Sequence, residues 1–459
     1  MDVLTFLILN INSSFSPVAI IPCDNRYDIS KEAFFLSISS RRNKLILTRV
    51  RDGFPDIVDG VLPDVHTSKK LRTEVQRQAR SRYFSRFMSL KVLITGGAGF
   101  IGSHLADHLI SQGYQVRVLD TLIPQVHGTD ADRPRHLSPE IEFIRGDIRN
   151  PDAVKKAVKG VNAIFHFAAA VGVGQSMYQI HHYSDVNALG TAVLLEILAH
   201  HPVSRLIVAS SMSIYGEGLY RNTNGETVEN AGRTLAQLRV RQWDPVDLNN
   251  EVLQPIATPE RKFPSVPSVY ALLKYHQERI CMSVAPAYGI SSVALRFFNV
   301  FGPRQSLSNP YTGVLAIFAS RLLNNRPPII NEDGQQRRDF VYIKDLVRSC
   351  GLALSIPEAD GQVLNIGSGK SSTILEIANK LIKVMGKASI QPQIGGRYRI
   401  GDIRNCFADI SLAREVLGYE PAYTLESGLL EMLDWLSSQT AEDRFAIAAS
   451  ELEGRGLTV

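Results

Sequence analysis

Cysteine is scarce in this 459-residue chain: Cys23, Cys281, Cys350 and Cys406 are all there are, and no two share a CxxC or CxxH spacing. A disulfide framework and a cysteine-rich zinc site are therefore not expected, no metal site is indicated, and a reducing cytoplasm suits the composition. Long apolar runs are also missing. The stretch Val3–Ile11 is far too short to span a bilayer and follows Asp2 rather than a basic segment, so neither a membrane span nor a secretory leader is expected. Most of the chain lacks any excess of one charge. The net charge is +5, and residues 1–87 hold all of it, with 14 Lys+Arg against 9 Asp+Glu. The remainder has 36 of each sign, so nucleic acid is not an expected partner of the main body. What is present is a 44% hydrophobic and 21% charged composition, enough for a sizeable core in two or three domains.

Residues 1–87 read as an N-terminal extension, poorly ordered or a non-native start, with a basic stretch Lys69–Arg82 that could form a solvated helix. A functional reading of the same residues is an arm that contacts anionic surfaces; their acidic residues argue against an organellar leader. The fold is expected to begin at Met88. From there short β runs alternate with helical stretches. Strands are predicted at Lys91–Thr95, Gln115–Asp120, Glu142–Arg145, Ala163–Phe167, Arg205–Ala209 and Ser292–Arg296. Helices are predicted at Ile101–Gln112, Pro151–Val158, Asp185–Ala199 and Val269–Ala285. This alternation predicts an α/β fold with a Rossmann-type, doubly wound parallel sheet. Residues 88–298 would carry most of it, interrupted by an irregular insert at 216–267. Residues 299–436 would form a smaller lobe with segments returning to the sheet, and 437–459 a C-terminal tail.

Gly96-Gly-Ala-Gly99-Phe100-Ile101-Gly102 follows a strand and opens a helix. Glycines there permit a tight turn and let backbone N–H groups approach a pyrophosphate at the helix N-terminus. Asp120 ends the second strand, where a carboxylate accepts from both ribose hydroxyls and repels a 2′-phosphate, so NAD is favoured over NADP. Arg117 lies within that strand, not after it, and offers such a phosphate no partner. Asp147-Ile148 follows the third strand and could cap the adenine. Tyr270 and Lys274 are four residues apart, on one helix face, as a phenol base and the ammonium that lowers its pKa together with the positive nicotinamide. Ser210 and Ser211 sit at the strand end where open sheets bind ligands, and a hydroxyl there can bond a substrate oxygen.

From Met88 to about Trp435 the chain resembles the extended short-chain dehydrogenase/reductase group, specifically the NAD-dependent nucleotide-sugar epimerases and dehydratases. The strings that carry the likeness are Thr95–His104, His166-Phe-Ala-Ala169, Ser210-Ser-Met-Ser-Ile-Tyr-Gly216, Tyr270-Ala-Leu-Leu-Lys274, Arg296-Phe-Phe-Asn299, Arg338-Asp-Phe-Val341 and Arg399-Ile-Gly-Asp402. The resemblance implies that Tyr270 takes the sugar hydroxyl proton, that Lys274 binds the nicotinamide ribose, and that Ser211 assists. It places Phe167, Ala168, Ala169 and Asn187 along the cofactor. Asn299, Arg338, Arg399 and Asp402 would hold the nucleotide diphosphate, guanidinium groups matching pyrophosphate geometry. It also implies a homodimer.

Dehydratases of this group carry Thr-Asp-Glu where this chain has Ser211-Met212-Ser213, so the carboxylate pair needed for elimination is missing. A UDP-glucuronate decarboxylase also begins with oxidation at C4 and stays open. An epimerase needs the fewest groups: a base, a hydride acceptor and room for the keto sugar to turn over. Ala168–Met177, Tyr215–Tyr220 and Arg304–Gly313 look closer still to bacterial dTDP-L-rhamnose 4-epimerases. That subgroup carries paired cysteines in the segment equivalent to 216–267. Here the segment offers Asn222, Asn224, Asp247 and Asn250 and no cysteine, which excludes a thiolate metal site. UDP-glucose 4-epimerisation is the alternative within the family. Outside catalysis the alternative is an NAD-binding regulator, which would have no need of Ser211, Tyr270 and Lys274 together.

Overall fold

The computed structural model describes residues 90–128 and 132–458, and the backbone of four strands in the N-terminal segment. Those strands, Phe15–Ala19, Glu32–Ser39, Lys44–Arg51 and Phe54–Ile57, form an antiparallel meander within a unit that ends at Phe87. The basic stretch 69–82, Cys23 and Met88 lie outside the described residues.

The second unit, Met88–Val459, is built on seven strands: β1 (Lys91–Thr95), β2 (Gln115–Asp120), β3 (Glu142–Arg145), β4 (Ala163–His166), β5 (Arg205–Ser211), β6 (Ser291–Phe297) and β7 (Val363–Ile366). All neighbours pair in parallel, in the order β7-β6-β5-β4-β1-β2-β3. The sheet is thus doubly wound, and its order reverses between β1 and β4, where such sheets bind ligands. Strand alternation explains why both faces are covered. Val92, Ile94, Ile207, Val293 and Leu295 face one core, while Leu93, Leu206, Val208 and Ala294 face the other. On the first face pack α1 (Phe100–Ser111), through Leu105 and Leu109, and α5 (Ile343–Ser355), through Leu346, Val347 and Cys350. On the second lie α2 (Pro151–Val158), α3 (Gly190–His200) and α4 (Val269–Ala287).

The single helix expected over 185–199 is divided: Asp185–Leu189 is a π-type turn and α3 starts at Gly190. The insert at 216–267 has more order than its composition announced. Leu219–Arg221 pairs antiparallel with Thr227–Val228 and Gln254–Ile256, and Thr234 and Gln237 form a capping box on the helix Leu235–Arg239. Beyond residue 298 a second small sheet pairs Asn299–Phe301 with Arg337–Tyr342, before β7 returns to the main sheet. The C-terminal stretch carries α6 (Phe445–Glu453), which buries Ala448 and Leu452. No helix among the described residues is long and apolar enough to cross a membrane.

Candidate active site

At the C-terminal edge of the sheet a cavity of about 720 Å³ runs from Asp120 and Asp147, past Ser211, Tyr270 and Lys274, to Arg338, Arg399 and Asp402. The size suits a bound small molecule or cofactor. Its floor is the glycine turn between β1 and α1. Gly96 has φ +70°, and a Cβ there would meet the Ala168 backbone at 2.9 Å; a Cβ on Gly102 would meet Gly96 O at 2.5 Å. The turn therefore requires glycine on steric grounds. No side chain caps the start of α1 and no acidic residue lies in its first turn, so its amides can meet an anion. Gly99, Phe100, Ile101, Ile148, Phe167, Ala168 and Ala169 line the same cavity. These features fit a dinucleotide.

Asp120 lines the cavity, with Oδ2 accepting from Ala98 N (3.0 Å) and Oδ1 from Leu122 N (2.9 Å). Arg117 is turned away, its guanidinium donating to the carbonyls of Ala157 and Lys159 and pairing with Glu142. It is no partner for a 2′-phosphate. His127 Nε2, 3.8 Å from Asp120, has its pKa lowered by burial and favours the neutral form. Asp147 lines the cavity too, clasped by Arg149 at 2.6 Å, which holds its carboxyl below the usual range.

Asn187 bonds Ala170 with both ends of its amide, accepting from the backbone N–H at 2.7 Å and donating to the carbonyl at 3.0 Å. It thereby shapes the loop after β4, and one amide hydrogen stays free for a further acceptor.

Tyr270, Lys274 and Ser211 all line this cavity. Ser268 caps α4 by accepting from Ala271 N, which fixes the first turn carrying Tyr270. The phenol hydrogen-bonds Ser211, and burial pushes its pKa up to about 12. Lys274 is itself pushed down to about 8 by burial, its Nζ donating to Gln277 Oε1 at 2.9 Å. Gln277 in turn donates to Thr191 Oγ1 at 2.9 Å and lies 3.3 Å from His166 Nε2. His166 also contacts Thr95 and Thr191, and burial pushes it down to about 3, so it adds no second cation beside the lysine. Sequence reading missed Gln277 as the holder of Lys274. Its place three residues on along α4 was the available signal.

The serines separate. Ser210 donates to Glu278 at 2.6 Å, within a buried Glu278–Arg296 ion pair, and is structural. Ser211 Oγ accepts from Ser213 Oγ at 2.9 Å. Asn299 Oδ1 is buried with no hydrogen-bond partner among the described residues, at a position lining the cavity, as expected of an acceptor kept for a ligand. The Arg338 guanidinium donates to the carbonyls of Arg404 and Ile403, not to a carboxylate. Arg399 is paired with Asp402 at 2.5 Å, so Asp402 orients the arginine. Among the described residues no cluster of His, Cys, Asp and Glu could hold a metal ion.

The description of the NAD dependent epimerase/dehydratase family matches residues 92–234 and 253–367. The chain belongs to that family. A dTDP-L-rhamnose 4-epimerase of Burkholderia thailandensis is 33% identical over 354 residues, 76% of this chain and 95% of its own length. The solved UDP-glucose 4-epimerase of Thermotoga maritima, with UDP-glucose, is 30% identical with a TM-score of 0.62, covering 76% of this chain and 99% of its own. That of Thermus thermophilus, in complex with NAD, is 27% identical with a TM-score of 0.61, covering 76% and 100%. The family's cofactor is NAD, and the glycine turn, Asp120 and the uncapped α1 suit it.

Proposed function

We propose that this chain is an isomerase that inverts C4 of a nucleotide-diphosphate sugar through a 4-keto intermediate, with dTDP-L-rhamnose the first candidate. The observation that carries the reading is the convergence of Ser211, Tyr270 and Lys274 on one cavity whose adjacent positions, Met212 and Ser213, carry no carboxylate. Tyr270 takes the proton of the C4 hydroxyl, and Ser211 holds the sugar oxygen during the transfer. Lys274, fixed by Gln277, binds the ribose and contributes positive charge beneath the phenol. NAD, held by the glycine turn, Asp120 and Lys274, would supply reversible hydride transfer at C4, and its positive ring would favour the ionised form of the buried phenol. Asn299, Arg338 and Arg399 hold the diphosphate end, Asp402 keeping Arg399 in place. Met212 and Ser213 cannot protonate a leaving hydroxyl, which turns the keto sugar back toward reduction.

A homodimer belongs to the same reading. Ile180, Leu189 and Leu272 are about half exposed on neighbouring elements, a pattern that a partner would cover. A cytoplasmic location is supported by Cys281, Cys350 and Cys406, all buried free thiols.

Substrates deuterated at C4, drawn from dTDP- and UDP-hexoses and a UDP-hexuronate and followed by NMR, test the proposal. The label should remain at C4 of an inverted product, with no net change in NADH absorbance. Deuterium at C6 would mean dehydration, loss of carbon dioxide decarboxylation, and stoichiometric NADH a plain dehydrogenase. Inversion of UDP-glucose in place of dTDP-L-rhamnose would reassign the sugar and keep the chemistry.

A further inference from the structure

The C-terminal stretch 437–458 reaches the cavity through Phe445 and packs on its surroundings. Asp443 accepts from Arg321 at 3.0 Å and Arg326 at 3.1 Å, anchoring the start of α6 to the smaller lobe. Phe445, under the Arg321 guanidinium at 4.9 Å, lines the cavity. At the other end of α6, Glu451 Oε2 meets the hydroxyls of Tyr311 (2.5 Å) and Tyr178 (2.7 Å), which lie 2.6 Å from each other. Two phenolic protons serve three contacts, so the carboxylate is the acceptor that holds the triangle together. The two bonds lower the Glu451 pKa, keeping it ionised at neutral pH. Arg455 stacks on the Tyr178 ring at 4.3 Å. Beyond α6, Leu457 O accepts from Ile400 N at 3.0 Å and Thr458 pairs antiparallel with Arg399. Tyr178 follows the loop after β4, Tyr311 belongs to the smaller lobe, and Arg399 lies at the diphosphate end. One short segment therefore ties three walls of the cleft together.

We infer that Asp443–Thr458 is a clamp that forms part of the nucleotide-sugar site, and that Glu451 is its positioning residue. Glu451 touches no reacting atom. It acts through Tyr311, which lines the cavity and whose hydroxyl it engages, leaving the ring as a fixed wall. The backbone pairing beyond α6 fixes Arg399 in the same way. Apart from Tyr178, the anchors of the segment (Arg321, Arg326, Tyr311 and Ile400) belong to the smaller lobe, so the clamp should govern substrate and not NAD. The nature of the ligand rests on the function proposed above.

The test uses the full NAD-loaded chain with Glu451→Ala, Glu451→Gln, Tyr311→Phe and the Glu451→Ala/Tyr311→Phe double variant. Charge-assisted bonds are the stronger kind, so Glu451→Ala should raise KM for the nucleotide sugar at least about tenfold, with kcat within about threefold and NAD content unchanged. Glu451→Gln, which keeps one acceptor, should lose less, and the double variant should be no worse than Glu451→Ala. An unchanged KM, or parallel loss of kcat and NAD content, overturns the inference. Hydrogen exchange at the Ile400 amide needs no substrate and separates the two readings. It should quicken about tenfold in Glu451→Ala, and unchanged exchange overturns the clamp even if turnover holds. A wild-type chain that turns over no nucleotide sugar overturns the proposed function, and with it the ligand named here.

Discussion

Tyr270 and Lys274 could be paired from sequence because four residues on a helix return to one face, a local rule that needs no knowledge of the rest of the chain. The same rule reaches Gln277, three residues on along α4, but not Thr191 and His166. Those come from α3 and β4, and only the packed sheet brings them within 2.9–3.3 Å of Gln277. The same limit explains Asn187, whose amide meets Ala170 across the strand-end loop. Two measurements follow at this scale. Tyr270→Phe should lower turnover by ~10²–10⁴-fold while stripped and reloaded protein takes up NAD as before; a loss of only a few-fold would place the base elsewhere. Burial lowers the Lys274 pKa from 10.5 to about 8, so between those pH values the unfolded chain binds the extra proton. Cofactor-free protein should therefore gain stability relative to Lys274→Met as pH rises from 8 to 10.5, and lose that gain on return to neutrality. Parallel pH profiles of the two unfolding midpoints would contradict this.

Elements with a strong period were legible almost to the residue. Lys91–Thr95 and Gln115–Asp120 keep their expected bounds, and the strand expected at Arg205–Ala209 extends two residues further to Ser211. The three-stranded sheet of the insert was hidden because its strands are two or three residues long, too short for any alternation to show, and one of its two pairings joins Arg221 to Gln254 across the whole insert. α6 was hidden differently: two buried residues, Ala448 and Leu452, make a thin stripe beside exposed Ile447. The turn before α1 shows how strictly a short motif constrains an element. In Gly102→Ala the new Cβ would press on the Gly96 carbonyl and Gly97 Cα at 2.5 and 2.6 Å, both backbone atoms that cannot rotate away. The substitution should cost about 1–3 kcal/mol of stability and leave purified protein with far less than one NAD per chain. Full occupancy by absorbance would show that the turn can move aside.

For the molecule as a whole, the division at Met88 coincides with the division of charge, since every excess basic residue precedes it. A chain that starts at Met88 should fold, stay soluble and retain activity within about twofold of the full chain. Aggregation or loss of turnover in the shortened chain alone would assign residues 1–87 a part in the catalytic unit. The parallel sheet itself has a kinetic consequence. Every pairing in it is non-local: Val92 is registered with Ala163 and Ala294 with Val363, each about 70 positions apart along the chain. No hairpin can nucleate such a sheet. Every added strand must wait for a long loop to close, an entropic toll that puts refolding nearer seconds than milliseconds. During that wait the apolar edges of β1 and β4 stand open to other chains, so recovery from denaturant should fall steeply with protein concentration, however stable the finished fold.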